Sequence, residues 1–298
     1  MTRDLMGYGG NWPDFRWPNG QRLAVSVVLN FEEGAEQQVG DGDPENERIG
    51  EVLSVVGSGR RDYGQEQIFA YGTRAGIWRM ADCLRRNNVP ATIFFCGQAV
   101  ERSPALARML VAEGHEPASH GWRWQPHADY DSPEAEAADL DRTAAAIEAA
   151  TGDRPCGFFC RGSESPWTRQ LLIERGYHYT SNGLDDDLPY RDVAHPPLLV
   201  IPYAFDTNDM KFFHPNGFAR PAEMTEYVVS ALDVLEAEAS RGLPRLLNIG
   251  FHLRITGRPA RFAAFQAIME ELARRRNRLW MARRIDIACA FLGATSKP

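Results

Sequence analysis

The chain reads as an α/β protein whose parallel sheet closes into a deformed (β/α)7-type barrel, and three observations carry that reading. Short aliphatic runs alternate with segments of helical periodicity about seven times, which is the pattern of strands joined by crossover helices. Those runs do not alternate apolar with polar residues, as expected of strands covered on both faces. The first strand-to-helix turn, NFEEG at Asn30–Gly34, lacks the glycine fingerprint that would cradle a dinucleotide, so a closed barrel is favoured over an open nucleotide-binding sheet. At 298 residues and with no evident linker, residues 1–298 are expected to form one domain.

Residues 1–20, rich in Gly, Pro and Trp, read as an irregular arm held by Trp12, Phe15 and Trp17. The strand Ala24–Gly34 follows and ends in Glu32 and Glu33. Residues 37–63 are polar and glycine-rich, with a short helix expected at Glu45–Val56; a loop of this length reads as a flap over the barrel mouth. Tyr71–Val89 has helical spacing with Thr73 as its N-cap. Strands are then expected at Ala91–Cys96, His115–Ser119, Cys156–Cys160, Tyr177–Ser181, Leu198–Tyr203, Arg245–His252 and Arg278–Ala282. Helices are expected at Ser103–Glu113, Ser132–Thr151, Thr168–Gly176, Pro221–Arg241 and Pro259–Arg276, with a last one closing near Leu292.

The formal net charge of -7 argues against nucleic acid as a partner, because phosphate neutralisation needs a basic face. The cluster Arg274–Arg276 suits a helix C-terminus. Five cysteines, odd in number and scattered through apolar segments, fit reduced thiols in a cytoplasmic protein. The N-terminal segment has no apolar core of a signal peptide, and no apolar run is long enough to span a bilayer, so no membrane association is expected.

Side chains at the C-terminal ends of barrel strands face the mouth where chemistry is done. Acids, imidazoles and a guanidinium recur there: Glu32 and Glu33, His120, Arg161, Asp185–Asp187, Asp206 and Asp209, and His252. Asn30 shares the first strand end. His252, delivered by the apolar NIGF run, is the best candidate acid or base, against the plain alternative of a hydrogen-bonded core histidine. His115 and His120 are five apart with Pro117 between them, so they are not the helical metal pair; His120 is the candidate and His115 structural. His127, His178, His195 and His214 read as surface or loop histidines.

The order NFEEG, GHEPASHGWRW, FFCRG, DDDLPY and NIGFH resembles the polysaccharide deacetylase (NodB-type) superfamily of deformed barrels, over nearly the whole chain. GYGGNWP, YGTRAGIWR, SHGWRW, DDDLPY, IPYAFDTNDM and HLRITGRPAR resemble the allantoinase branch of that superfamily, which acts in urate breakdown. The resemblance implies catalytic roles for Glu32, Glu33, His120 and His252, and substrate contacts from Asn30, Arg74, Trp124 and Arg161. Arg161 matches the arginine that orients the catalytic acid in deacetylases, although the GSESPW after it departs from their pattern.

One departure bears on the cofactor. The deacetylase metal is held by the second acid and two histidines four apart; Glu33 and His120 match two of these, and the third position is Trp124. An indole has no lone pair to give, so no metal is expected, with zinc on Glu33 and His120 as the alternative. Loss of a Lewis acid favours an activated ring over an acetamide, because the leaving nitrogen of a cyclic ureide or imide is conjugated to a second carbonyl. Trp124 then reads as a flat wall for that ring or as a core aromatic. The expected activity is opening of a cyclic amide C–N bond, allantoin to allantoate, in a cytoplasmic homotetramer. A hydantoin or imide hydrolase with recruited zinc and a carbohydrate N-deacetylase are the alternatives.

Overall fold

Strand β1 (Leu23–Phe31) is buried at every position, because it has neighbours on both edges, helices over one face and the packed interior of the curled sheet on the other. The computed structural model describes residues 4–295, so the first three residues of the expected arm and the last three of the chain lie outside the described residues. Helices α1 (Tyr63–Tyr71) and α2 (Ile77–Asn87) lead to β2 (Ala91–Phe95), α3 (Gly97–Arg102), α4 (Pro104–Ala112) and β3 (Glu116–Ser119). Next come α5 (Pro133–Thr151), β4 (Gly157–Phe158), α6 (Thr168–Glu174), β5 (Tyr179–Thr180), β6 (Tyr190–Arg191) and β7 (Leu199–Val200). The chain closes with α7 (Pro221–Ser240), β8 (Arg245–His252), α8 (Pro259–Arg274), β9 (Trp280–Met281) and α9 (Arg284–Thr295).

The sheet runs β6-β7-β5-β4-β3-β2-β1-β8, with β9 beside the start of β1 and only β6 antiparallel. It curls into a half-barrel that the ladder does not close. Across the seam, connecting chain takes the place of a strand: Leu246 N–H donates to Asp187 O at 2.9 Å and Gly250 N–H to Thr207 O at 3.2 Å. The expected deformed barrel is therefore the observed class.

Register decides which side chains meet at the mouth. Phe31, Phe95, Ser119 and Phe158 lie side by side in successive strands, and Asn30 lies opposite His252. The next row up therefore holds Glu32, Cys96, His120 and Phe159. The arm packs at the other end of the sheet, where Trp17 Nε1 donates to Arg245 O at 3.0 Å and Phe15 meets Phe291.

Local chemistry sets the helix ends. Ser132 caps α5 by accepting from Ala135 N–H, Pro133 follows it, and Gly152 stops the helix at φ 85°. Two expectations are corrected. No helix forms at residues 45–56, and the helix expected from Tyr71 begins at Tyr63, capped by Asp62. Thr73 is no cap: it lies in a π turn, Gly72–Gly76, with its hydroxyl on Ala70 O at 3.2 Å. The reason is crowding. A Cβ on Gly72 would stand 2.2 Å from Glu33 Oε1, and one on Gly76 2.2 Å from Leu253 O, so the helix passes the sheet at backbone distance and widens there.

Residues 37–62 have no helix beyond a single turn at Val39–Asp41 and are tied down by ion pairs instead. Asp41 pairs with Arg102, Asp43 with Arg123, Glu47 with Arg161 and Glu51 with Arg261. Those arginines stand beyond β2, β3, β4 and β8, so the loop spans the strand ends. Among the described residues, no helix is long and apolar enough to cross a membrane.

Candidate active site

Glu32 is the hub. Its Oε1 lies 3.2 Å from His120 Nε2 and 3.4 Å from His252 Nε2, and its Oε2 accepts from Arg254 Nη1 at 2.6 Å. Glu32, Glu33, His120, His252 and Arg254 are each no more than 5% exposed. Three cationic or potentially cationic partners hold the Glu32 carboxyl well below its ordinary range against the opposing effect of burial.

Each partner is itself fixed. His120 Nδ1 faces the Phe159 carbonyl at 2.6 Å, a pure acceptor, so that nitrogen carries a hydrogen, and Nε2, 3.2 Å from Glu32 Oε1, bonds the carboxylate only by donating as well. The imidazole stacks on the Phe159 ring, interplanar angle 10°. His252 Nδ1 lies 2.6 Å from Asp209 Oδ1. Burial would depress this imidazole, but the Glu32 and Asp209 carboxylates outweigh it and raise it to about 9. Glu33 is pushed up to about 7, chiefly by burial, and its oxygens accept the backbone N–H groups of Glu32 and Arg254, both at 3.1 Å.

Asn30 donates to Tyr203 Oη and Phe251 O, both at 3.1 Å, which leaves its Oδ1 buried without a partner. Arg254 Nε and Nη2 are likewise buried and unpartnered. An enclosed centre with one free acceptor and two free donors can take a small polar molecule that presents the complementary pattern.

The structure thus brings together Glu32, Glu33, His120, His252 and Asn30. Trp124 is corrected from an open wall: its ring carries the guanidinium of Arg161 at 3.8 Å and that of Arg254 at 4.7 Å. Arg161 sits one contact out, paired with Glu47 at 2.6 Å, and so ties down the loop. Arg74 is corrected as a substrate contact: it is exposed, half a turn round from Gly72, whose face meets Glu33. His127 is also corrected, being wholly buried with Nδ1 2.9 Å from Glu136 Oε1. His115 is structural, accepting from Ala91 N–H at 3.2 Å.

Arg254 was not among the residues expected here, and Asp209 was noted only as one of several strand-end acids. The available signal for both was position, just past the ends of strands whose other tips carry chemistry. Asp186, Asp187 and Asp206 line a different cavity of about 360 Å³, which shares Tyr203 with the centre but none of its five ionisable groups.

A curled parallel sheet with a carboxylate–imidazole centre buried at its strand ends is the frame of a hydrolase half-barrel. A sequence model of the family described as polysaccharide deacetylase matches residues 66–180. A protein of Schizosaccharomyces pombe whose name assigns it provisionally to the polysaccharide deacetylases is 33% identical, over 97% of this chain and 97% of its own. The chain belongs to the polysaccharide deacetylase family. Two crystal structures superpose with a TM-score of 0.93 at 39% identity over the whole chain. One is a polysaccharide deacetylase, again provisionally named, of Pseudomonas aeruginosa PAO1, covered over 100% of its length, and the other is PuuE allantoinase, covered over 99%.

The residues here do not fit the zinc of the family's deacetylases. Glu33 and His120 are in place, but Trp124 packs against Phe69, ring centroids 6.0 Å apart, where a second imidazole is needed. Among the described residues no group of three or more His, Cys, Asp or Glu side chains could hold a metal ion. Arg254, 2.6 Å from Glu32 and 3.9 Å from Glu33, already supplies a fixed cation to both acids.

Proposed function

We propose that this family hydrolase opens the ring of a small cyclic amide, allantoin to allantoate, with no metal taking part. The observation that carries the reading is the exchange at the centre: an indole stands at the second histidine position, and a buried guanidinium serves the acids instead. A fixed organic cation polarises less strongly than zinc, which suits a ring whose leaving nitrogen is already activated. The full-length similarity to PuuE allantoinase at 39% identity supports the same substrate class.

Glu32, ionised at neutral pH, takes a proton from water as the water oxygen bonds to the ring carbonyl carbon. Collapse of the tetrahedral intermediate breaks the C–N bond, and His252, protonated and oriented by Asp209, gives its Nε2 proton to the departing nitrogen. Glu32 then returns its proton to His252 across their 3.4 Å contact, and the new carboxylic acid ionises. His120 holds Glu32 in place, and Asn30 Oδ1 accepts from a ring N–H. The test is hydrolysis of racemic allantoin by chelator-treated protein with bound metal measured on the same sample. Turnover without metal is expected; activity that appears only with added zinc, or only on N-acetyl sugars, would overturn the reading.

A further inference from the structure

We propose that Arg254 is a catalytic residue whose Nε–H and Nη2–H edge binds the scissile carbonyl oxygen and the oxyanion it becomes. The inference rests on the reading above that the substrate is a cyclic amide.

A guanidinium has five N–H donors in a rigid plane and no means of shedding its charge. In Arg254 the Nη1 side is committed to Glu32 at 2.6 Å. The Nε and Nη2 atoms are buried with no partner. They form the guanidinium edge that engages oxygen acceptors in pairs, so the unpartnered donors are a preformed fork rather than two stray groups. Buried polar groups are nearly always satisfied, and a charged pair left open points to a partner that arrives with the ligand.

The surroundings hold this edge in one orientation. The guanidinium carbon lies 4.3 Å from the centroid of the Phe69 ring and 4.7 Å from that of Trp124. The Arg254 backbone N–H is anchored on Glu33 Oε1 at 3.1 Å. Fixed donors in a dry, aromatic-walled site are what stabilises charge as it develops, because no reorganisation is needed at the moment of reaction. Geometry also links the donors to the base. One cation touches Glu32 through Nη1 and offers its Nε–Nη2 edge to the carbonyl, so base and oxyanion donors are held in one rigid group. During attack the C=O π pair moves onto the oxygen and rests against Nε–H and Nη2–H; on collapse it re-forms the carbonyl as the C–N bond breaks.

The decisive variant is Arg254→Lys, which keeps the positive charge for Glu32 and loses the fork. Three readouts on the full-length protein separate the possibilities: allantoin kinetics, calorimetric binding of allantoate, and thermal denaturation. The expected result is a fall in kcat on the order of 10²–10³-fold, with weaker allantoate binding and a folded protein. Arg254→Ala guards against a lysine that reaches the same place, and its kcat should be partly restored by added guanidinium chloride at millimolar concentration. Wild-type turnover with kcat unchanged in Arg254→Lys and no rescue of Arg254→Ala overturns this inference alone. Wild-type protein that neither hydrolyses allantoin nor binds allantoate overturns the substrate reading and this inference together.

Discussion

Asp209 grips His252 at two points, with Oδ1 2.6 Å from the ring Nδ1 and Oδ2 accepting the His252 backbone N–H at 2.8 Å. Oδ2 also accepts from Thr256 Oγ1 at 2.9 Å. The carboxylate is therefore held by the chain it orients, and the imidazole can present only Nε2 to Glu32. An acid–base residue needs this kind of fixed tautomer more than it needs proximity.

Asp209→Asn removes the charge and one of the two acceptors: with its amide oxygen in the place of Oδ2 it still takes the His252 backbone N–H and the Thr256 hydroxyl, but it turns an NH2 donor toward the ring Nδ1. His252 is raised to about 9 by Glu32 first and Asp209 second, so its acidic form persists through neutrality and is lost as pH rises through about 9. Without the Asp209 charge the alkaline limb of kcat should move to lower pH, costing about tenfold or more at pH 8.5 and less at pH 6. Rate profiles from pH 6 to 10 check this, and coincident limbs would sink the general-acid role. Stability follows the same sign. A group raised from 6.5 to about 9 contributes stability that is complete below 6.5 and fades as pH rises to about 9. The gap in melting temperature between wild type and His252→Asn should narrow over that window.

Glu32→Gln should lower kcat by about 10³-fold or more, since water loses its base. It also leaves Arg254 and His252 without their shared counter-charge, a loss of roughly 3 kcal/mol for breaking a buried pair. The Glu32 carboxyl is held well below 4.5, so its stabilisation is present above that value and lost as pH falls beneath it. Acid denaturation should therefore show a shallower pH dependence in Glu32→Gln than in wild type. Retained turnover in a folded variant would assign the base elsewhere.

The parts of this site that were legible in the sequence are those that lie in strands. β1 and β8 are aliphatic runs that end in polar residues, so Glu32 and His252 announce both the strand and its tip. Arg254 was hidden because an arginine two residues past a strand normally reaches solvent. Its burial depends on Phe69 and Trp124, which meet over it only after the chain folds. Thr73 misled for a related reason. A hydroxyl before an apolar period reads as a cap, but the glycines on either side were there to let the helix approach Glu33 and Leu253. Trp124 was read as standing where a metal ligand is needed, yet which cations its ring would hold could not be seen from local sequence.

The ion pairs of residues 37–62 tie that loop across the strand ends, near a centre whose five ionisable groups are almost without solvent contact. On the proposal that the loop covers the site, these pairs part when substrate enters. Arg161 is the inner bolt, bound to Glu47 through both terminal nitrogens at 2.6 and 3.1 Å and stacked on Trp124. Arg161→Ala should speed proteolysis within residues 48–60 by roughly tenfold, because local opening governs cleavage. KM should rise with it, while the melting temperature changes little. Equal cleavage rates in the two proteins would show that the cover is held by the outer pairs alone.

The π turn offers a test of how closely helix and centre are fitted. In Gly72→Ala the new methyl meets Glu33 Oε1 and Cδ at 2.2 and 2.5 Å, so the carboxyl must leave the backbone donors of Glu32 and Arg254. That change should reach catalysis, lowering kcat by about 10–100-fold. In Gly76→Ala the obstacle at 2.2 Å is the backbone oxygen of Leu253, which cannot rotate away. Overpacking of that kind costs roughly 2–3 kcal/mol, so this variant should lose more stability than Gly72→Ala. Gly293→Ala is the control: it lies exposed in α9 with nothing within 4 Å of a new Cβ. There the methyl should stabilise by up to about 1 kcal/mol through helix propensity and chain entropy. Denaturant midpoints and kcat for the three variants separate the effects. If all three behave alike, the helix does not press on Glu33, and the widened turn has another cause.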